Sequence, residues 1–255
     1  MKTLLRPQRL ISRGSEIYSV SLAKSASEIE AAQSLRFKVF NLELNEGLDA
    51  SFATQLDQDP FDEICDHLIV RWNPTGEIVG TYRLQTGTMA AAGSLGYYSA
   101  QEFDLSPFEP VRHELVELGR ACVERKHRNL RVLGLLWKGI AEYCQARGGR
   151  YLIGCSSVTS EDPRVGAELY FSMAREHLVD PCFRTLPLPT HLCALDEGAT
   201  TAKAPKLFRA YLSLGAKICG PPALDSEFHT IDFLTFLDLK SLDEDVLNRF
   251  MPSAG

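Results

Sequence analysis

Five basic side chains, Arg125, Lys126, His127, Arg128 and Arg131, crowd a short turn between a strand-like run and a helix-like run. The first turn of a helix leaves backbone N–H groups unpaired, and its dipole favours negative charge. Cations gathered there make a seat for a phosphate. Just upstream, Glu117 and Arg120 set a carboxylate and a guanidinium three positions apart on the strand-like run. Residues three apart on a regular strand point to opposite faces, so the two meet only across a bulge. Gly119, between them, is where a bulge costs least.

These residues belong to one unit spanning 114–150. Residues 114–123 have the alternation and β-branched content of a strand. Residues 132–147 put Leu133, Leu136, Trp137, Ile140, Ala141 and Cys144 at helical spacing, and Gly148-Gly149 stops that helix. Around the unit, the pattern predicts an edge strand at 17–22 and a helix opened by the overlapping boxes Ser25/Glu28 and Ser27/Glu30 and running to about 40. A hairpin follows at 67–72 and 78–86, then strands at 151–155, 216–219 and 231–239. Further helices are predicted from a Ser160 cap to about 177, at 206–214, and at about 242–250. Such an order builds one mixed sheet flanked by helices, an α/β domain over 16–255 behind a basic N-terminal arm, 1–15, that carries Lys2, Arg6, Arg9 and Arg13.

Two stretches lack a period. Residues 41–66 gather eight acids, which are either solvated or select a cationic substrate. Residues 180–205 hold four prolines along with Phe183, Leu186, Leu188 and Leu192, apolar side chains that pack down on the core or line a groove.

Composition narrows the function classes. A formal net charge of -6 argues against nucleic acid as a general partner. The seven cysteines are scattered and never form a C-x-x-C pair, and the six histidines show no ligand spacing, so neither a disulfide framework nor a metal site is signalled. With no run of roughly 18 apolar residues and no signal-peptide core, the expected location is the cytoplasm. The basic, leucine-bearing arm adds a peripheral contact with an anionic membrane as a second expectation.

The motifs Leu35-Arg36-Phe37-Lys38-Val39-Phe40, Asp59-Pro60-Phe61-Asp62-Glu63-Ile64-Cys65-Asp66-His67, Gly80-Thr81-Tyr82-Arg83-Leu84 and Glu117-Leu118-Gly119-Arg120 occur in that order. Leu135-Leu136-Trp137-Lys138-Gly139-Ile140 and Tyr211-x-x-x-Gly215-Ala216-Lys217 follow them. The series resembles the ornithine-lipid N-acyltransferases of bacteria, also called hemolysin-like, and more loosely the acyl-homoserine-lactone synthases. Both have the GNAT acyltransferase fold. The resemblance covers about residues 30–240.

That resemblance implies an acyl thioester donor and an amino-acid acceptor. The donor would be a 3-hydroxyacyl group on the 4'-phosphopantetheine of acyl carrier protein, or acyl-CoA. The acceptor would be ornithine, giving lyso-ornithine lipid. Cys122, Val123, Arg128, Arg131, Val132, Leu133 and Gly134 would cradle the phosphopantetheine, and Arg125, Lys126 and Lys138 would dock the acidic carrier. The turn has glycine only at its end, which favours a single phosphate over a pyrophosphate. Glu117 would be the base that frees the amine, or else the structural ion-pair partner of Arg120. A bulge at Gly119 would polarise the thioester carbonyl, and Tyr211 would protonate the departing thiolate. Arg36 and Arg83 would clamp the acceptor carboxylate, with Asp59 and Asp62 on its ammonium. Two rivals stay open: another amino-acid acceptor, such as glycine, and a non-catalytic carrier-protein or lipid-binding module.

Overall fold

The computed structural model describes residues 13–14, 17–195 and 202–242. Nine strands form one sheet: β1 (Arg13–Gly14), β2 (Tyr18–Leu22), β3 (Asp66–Trp72), β4 (Glu77–Thr86), β5 (Leu115–Val123), β6 (Tyr151–Thr159), β7 (Lys217–Ile218), β8 (Ala223–Asp225) and β9 (Thr230–Asp238). Their order is β1-β2-β3-β4-β5-β6-β9-β7, with β8 on another stretch of β9. Every neighbour is antiparallel except β5 and β6, which run parallel. The helices are α1 (Ala26–Phe37), α2 (Ser51–Thr54), α3 (Gly87–Ala92), α4 (Leu130–Arg147), α5 (Pro163–His177) and α6 (Lys206–Ser213). This is the mixed, mostly antiparallel α/β sheet that the sequence leads one to expect. Arg13 and Gly14, assigned above to the arm, pair with Val20 and Ser19. Residues 1–12 and the helix expected beyond 242 lie outside the described residues.

The parallel pair needs a crossover, and α4 supplies it. Asn129 caps α4 by accepting from the backbone N–H groups of Arg131 and Val132, and Gly148 ends it in the left-handed region at φ 73°. The apolar stripe of α4, with Leu136, Trp137 and Ile140, lies on Val20, Leu68 and Val70 of the sheet. Gly139 lets the helix come close, because a Cβ there would meet Leu68 Cδ1 at 2.8 Å. Along β5 successive side chains alternate, so Ala121 and Val123 pack on the α4 side while Cys122 meets Leu35 and Val39 of the first helical segment.

Two local expectations are corrected. The first helix does not stop near residue 40: it widens into a π-helical turn, Lys38–Leu44, closed by Asn45 at φ 58°. The cap of α5 is Asp162, not Ser160, because the residue before a proline is held extended and its carboxylate then accepts from Arg164 N at 3.1 Å. The proline-rich loop divides its apolar residues: Phe183 stacks on Phe236 at 4.7 Å, whereas Leu186 and Leu192 remain exposed.

Candidate active site

β5 and β6 are paired only over residues 115–117 and 151–153. At the next step a Cβ on Gly154 would stand 2.2 Å from the Leu118 carbonyl oxygen, and beyond it the strands part. β6 keeps its pairing with β9 over its whole length, so the opening falls on one side only. A wedge results. Its larger cavity, about 320 Å³, is lined by Arg83, Tyr98, Glu117, Arg120, Cys155 and Asp232 among others. A narrower, mostly apolar slot of about 80 Å³ runs on the α4 side past Trp137, Leu152 and Leu237. Residues 118–121, with Cys155, Ser156 and Tyr211, line both.

The bulge sits where the glycine signals it. Between Thr81 and Arg83 β4 advances two residues, while β5 advances three from Gly119 to Cys122. The extra residue forces Arg120 to φ 50°, a conformation costly for a non-glycine residue. Glu117 and Arg120 nevertheless do not pair. Both Glu117 oxygens accept backbone N–H groups, from Tyr98 at 2.8 Å and Ser99 at 2.7 Å. Burial raises the Glu117 carboxyl above its ordinary range, and the Ser99 and Tyr98 donors only partly offset this. Arg120 turns the other way, to Asp59 at 3.4 Å and Asp57 at 3.6 Å, and stacks on Phe228 at 4.4 Å.

The four residues assigned to acceptor binding form an ion-pair network. Arg36 has no exposed surface; its guanidinium meets Asp57 at 2.8 Å and both oxygens of Asp62. Arg83 holds Asp59 at 2.6 Å and Asp62 at 3.1 Å. Three arginines, with Arg120, thus meet three aspartates. Burial raises the Asp62 carboxyl, but Arg36 and Arg83 outweigh it and hold it well below the usual carboxylate range; Asp59 is lowered in the same way by Arg83. Of this group only Arg83 and Arg120 line the cavity, so the expected clamp by Arg36, and ammonium binding by Asp59 and Asp62, are corrected. Most of the acidic stretch is likewise paired: Glu43 holds Arg128, Glu46 accepts from Thr159, and Asp66 meets Arg147 at 3.2 Å.

Tyr211 lies at the wedge with its ring against Trp137 and its hydroxyl paired to that of Tyr82; burial raises it well above the ordinary phenol range. Arg125, Lys126 and Arg131 are exposed at the start of α4, and Lys138 sits about two turns further along it. Three expected phosphopantetheine contacts are differently employed. Cys122 packs against α1, Val132 is core, and Arg128 divides its donors between the Val123 carbonyl at 2.9 Å and Glu43. Val123 and Leu133 pack against the core from its edge, whereas Gly134 has open space where a side chain would be.

Asp57, Glu102, Cys155, Asp225, Thr230 and Asp232 belong to this neighbourhood and were missed from sequence. Asp232 had a readable signal, a carboxylate in the otherwise apolar run Ile231-Asp232-Phe233-Leu234.

The acetyltransferase (GNAT) domain family model matches residues 35–138. Among solved structures, the acyl-homoserine-lactone synthase LasI shares the fold with a TM-score of 0.52 at 12% identity, covering 92% of this chain and 94% of that one. FeeM, an N-acyl amino acid synthase from uncultured soil microbes, gives 0.50 at 14% identity, over 88% and 92%. Sequence relatives are nearer. An L-ornithine N(alpha)-acyltransferase of Agrobacterium fabrum is 34% identical over 87% of this chain and 80% of its own length. One of Brucella abortus is 34% identical over 92% and 89%. With likeness of this extent along nearly the whole chain, the protein belongs to the L-ornithine N(alpha)-acyltransferase family.

Proposed function

We propose that this chain joins the α-amine of ornithine to an acyl group delivered as a thioester, giving an N-acylornithine and a free thiol. The observation that carries the reading is the wedge between β5 and β6. A polar cavity with a buried carboxyl at Glu117 and a narrow apolar slot meet at the bulged residues 119–121. An amine and a thioester can therefore approach one carbonyl carbon from two sides. The acceptor comes from the relatives' names.

An ammonium with a pKa of about 10 must lose a proton before it attacks. Glu117 takes that proton, and the raised proton affinity that burial gives it makes it a better base than an exposed carboxylate. The amine nitrogen then bonds to the thioester carbon while backbone N–H groups of the bulge hold the oxyanion. As the intermediate collapses the carbon–sulfur bond breaks and the second proton of the attacking nitrogen passes to the sulfur, which leaves as a thiol steadied by a hydrogen bond from Tyr211. Arg83 and Arg120, at the cavity wall, meet the acceptor carboxylate with the guanidinium N–H groups that they do not give to the aspartates.

Acyl carrier protein is the proposed donor, with acyl-CoA the alternative. Exposed Arg125, Lys126 and Arg131, and a turn poor in glycine, support the carrier. The reaction is proposed for the cytoplasmic side of a membrane; among the described residues no helix is long and apolar enough to cross one. Exposed Leu42 and Leu44, the latter on the cavity wall, support a peripheral contact there. The test is incubation of purified protein with 3-hydroxyacyl carrier protein or acyl-CoA and a panel of amino acids, products being read by mass. An amide with ornithine is expected. An amide with glycine instead, or none with any amino acid, overturns the proposal.

A further inference from the structure

The side of the cavity formed by β6, β8 and β9 is rich in carboxylates and, among the described residues, carries no basic side chain. Asp225 and Asp232 line it. Glu102 stands behind, with its oxygens 3.9 Å and 4.0 Å from Cys155 Sγ, which is itself part of the wall. All three acids are buried. Among the described residues none of the three forms an ion pair, and the two arginines of the cavity are engaged elsewhere, Arg83 by Asp59 and Arg120 by Asp57 and Asp59. Burial raises the carboxyls of Glu102 and Asp232 above the ordinary range, and the neighbouring acids add to it.

A second observation is independent of the charge. Thr230 Oγ1 and Asp232 Oδ1, on two buried residues of the cavity wall, meet no donor in good geometry; the Thr230 hydroxyl can turn its own proton to the Asp232 carboxylate, which leaves the hydroxyl lone pairs open to the cavity. A buried acceptor without a donor is destabilising, so its survival points to a donor brought by a ligand. The carboxyls, which give up their protons as a cation enters, and the hydroxyl lone pairs then make a wall dominated by acceptors.

We propose that Asp232 and Thr230, backed by Glu102 and flanked by Asp225, form a recognition subsite for an ammonium group, and that this subsite selects acceptors bearing a second amine on the side chain. An ammonium offers three donors and no acceptor, which matches such a wall. The subsite rests on the acyl-transfer reading of the cavity and adds the source of its acceptor selectivity. It replaces the ammonium role first given to Asp59 and Asp62, which Arg83 and Arg36 already neutralise. One ligand atom each from Glu102, Cys155 and Asp232 lie within 4.8 Å of one another, close enough for a metal ion. Burial raises the Cys155 thiol well above its ordinary range, and the zinc measurement below separates a metal from an ammonium.

Ornithine and norvaline differ only in the terminal amine, so they isolate the subsite. In the intact protein kcat/KM for ornithine is expected to exceed that for norvaline by about a hundredfold, as a charge-assisted hydrogen bond in a buried site allows. Asp232→Asn and, separately, Glu102→Gln should each shrink that ratio at least about tenfold. Calorimetric binding of the two amino acids, without donor, should show the same discrimination and the same loss. Equal use of ornithine and norvaline by the unaltered protein overturns the subsite, as does an unchanged ratio in both variants when their circular dichroism is native. Zinc binding that is lost in Asp232→Asn, with no discrimination between the amino acids, overturns it in favour of a metal. Failure to acylate any amino acid while calorimetry still separates ornithine from norvaline would refute the transfer reading and leave the ammonium subsite standing.

Discussion

Gly154 of β6 faces the carbonyl oxygen of Leu118 on β5 so closely that a Cβ at position 154 would lie 2.2 Å from it. This contact is the apex of the wedge: on one side the strands are paired, on the other they part. Gly154→Ala must push β6 away from a backbone atom that cannot rotate aside. Overpacking of this kind costs about 1–3 kcal/mol, and the apex moves with it. Thermal denaturation should show a loss of about 2–10 °C, and acyl transfer should fall further than stability alone explains. A variant with native melting and full activity contradicts this account of the wedge.

Arg36 is a structural residue. Removing it by Arg36→Ala leaves three buried aspartates to two arginines, one negative charge too many, a change that costs about 3–5 kcal/mol. Thermal or urea denaturation should register that loss. If Arg36 instead clamped the acceptor, stability would hold and only the KM for ornithine would rise.

The same network sets the acid limit of stability. Asp59 and Asp62 are held below their ordinary range in the folded chain, so their contribution is complete above the unfolded carboxyl value of about 3.9 and is lost as the pH falls through it toward the folded value. The melting temperature should therefore drop steeply below about pH 4. A melting temperature flat from pH 5 to pH 3 would contradict the network's role.

Exposed Arg125 and Lys126 make a prediction about the donor. Replacing both with Glu should raise the KM for an acyl-carrier-protein thioester by about tenfold at low salt, with a smaller effect at high salt, and leave the KM for ornithine alone. An unchanged carrier KM sets aside docking at this turn.

Much of the fold was legible because its signals are local. The hairpin at β3 and β4, the strand–turn–helix of β5 and α4, and the possible bulge at Gly119 all follow from neighbours in sequence. The site was legible only in part, because charge partners are chosen by tertiary proximity. Nothing near Glu117 announced that the backbone at Tyr98 and Ser99, on a separate loop, would hold its carboxylate in place of Arg120. Asp57 and Asp62 sit in a run that reads as a solvated acidic loop, and only the fold carries Arg36 into it. Asp232 and Glu102 lie 130 residues apart and meet across the sheet.

The central claim is that Glu117, at the wedge, frees the amine. The direct measurement is the pH profile of kcat/KM for ornithine in the native protein and in Glu117→Gln, with donor saturating. The native profile should rise with an apparent pKa above the ordinary carboxylate value, because burial raises this carboxyl. The variant should lose about 100- to 10,000-fold and that limb of the profile, while donor binding persists. A variant that keeps the native rate and the native pH profile would contradict the account.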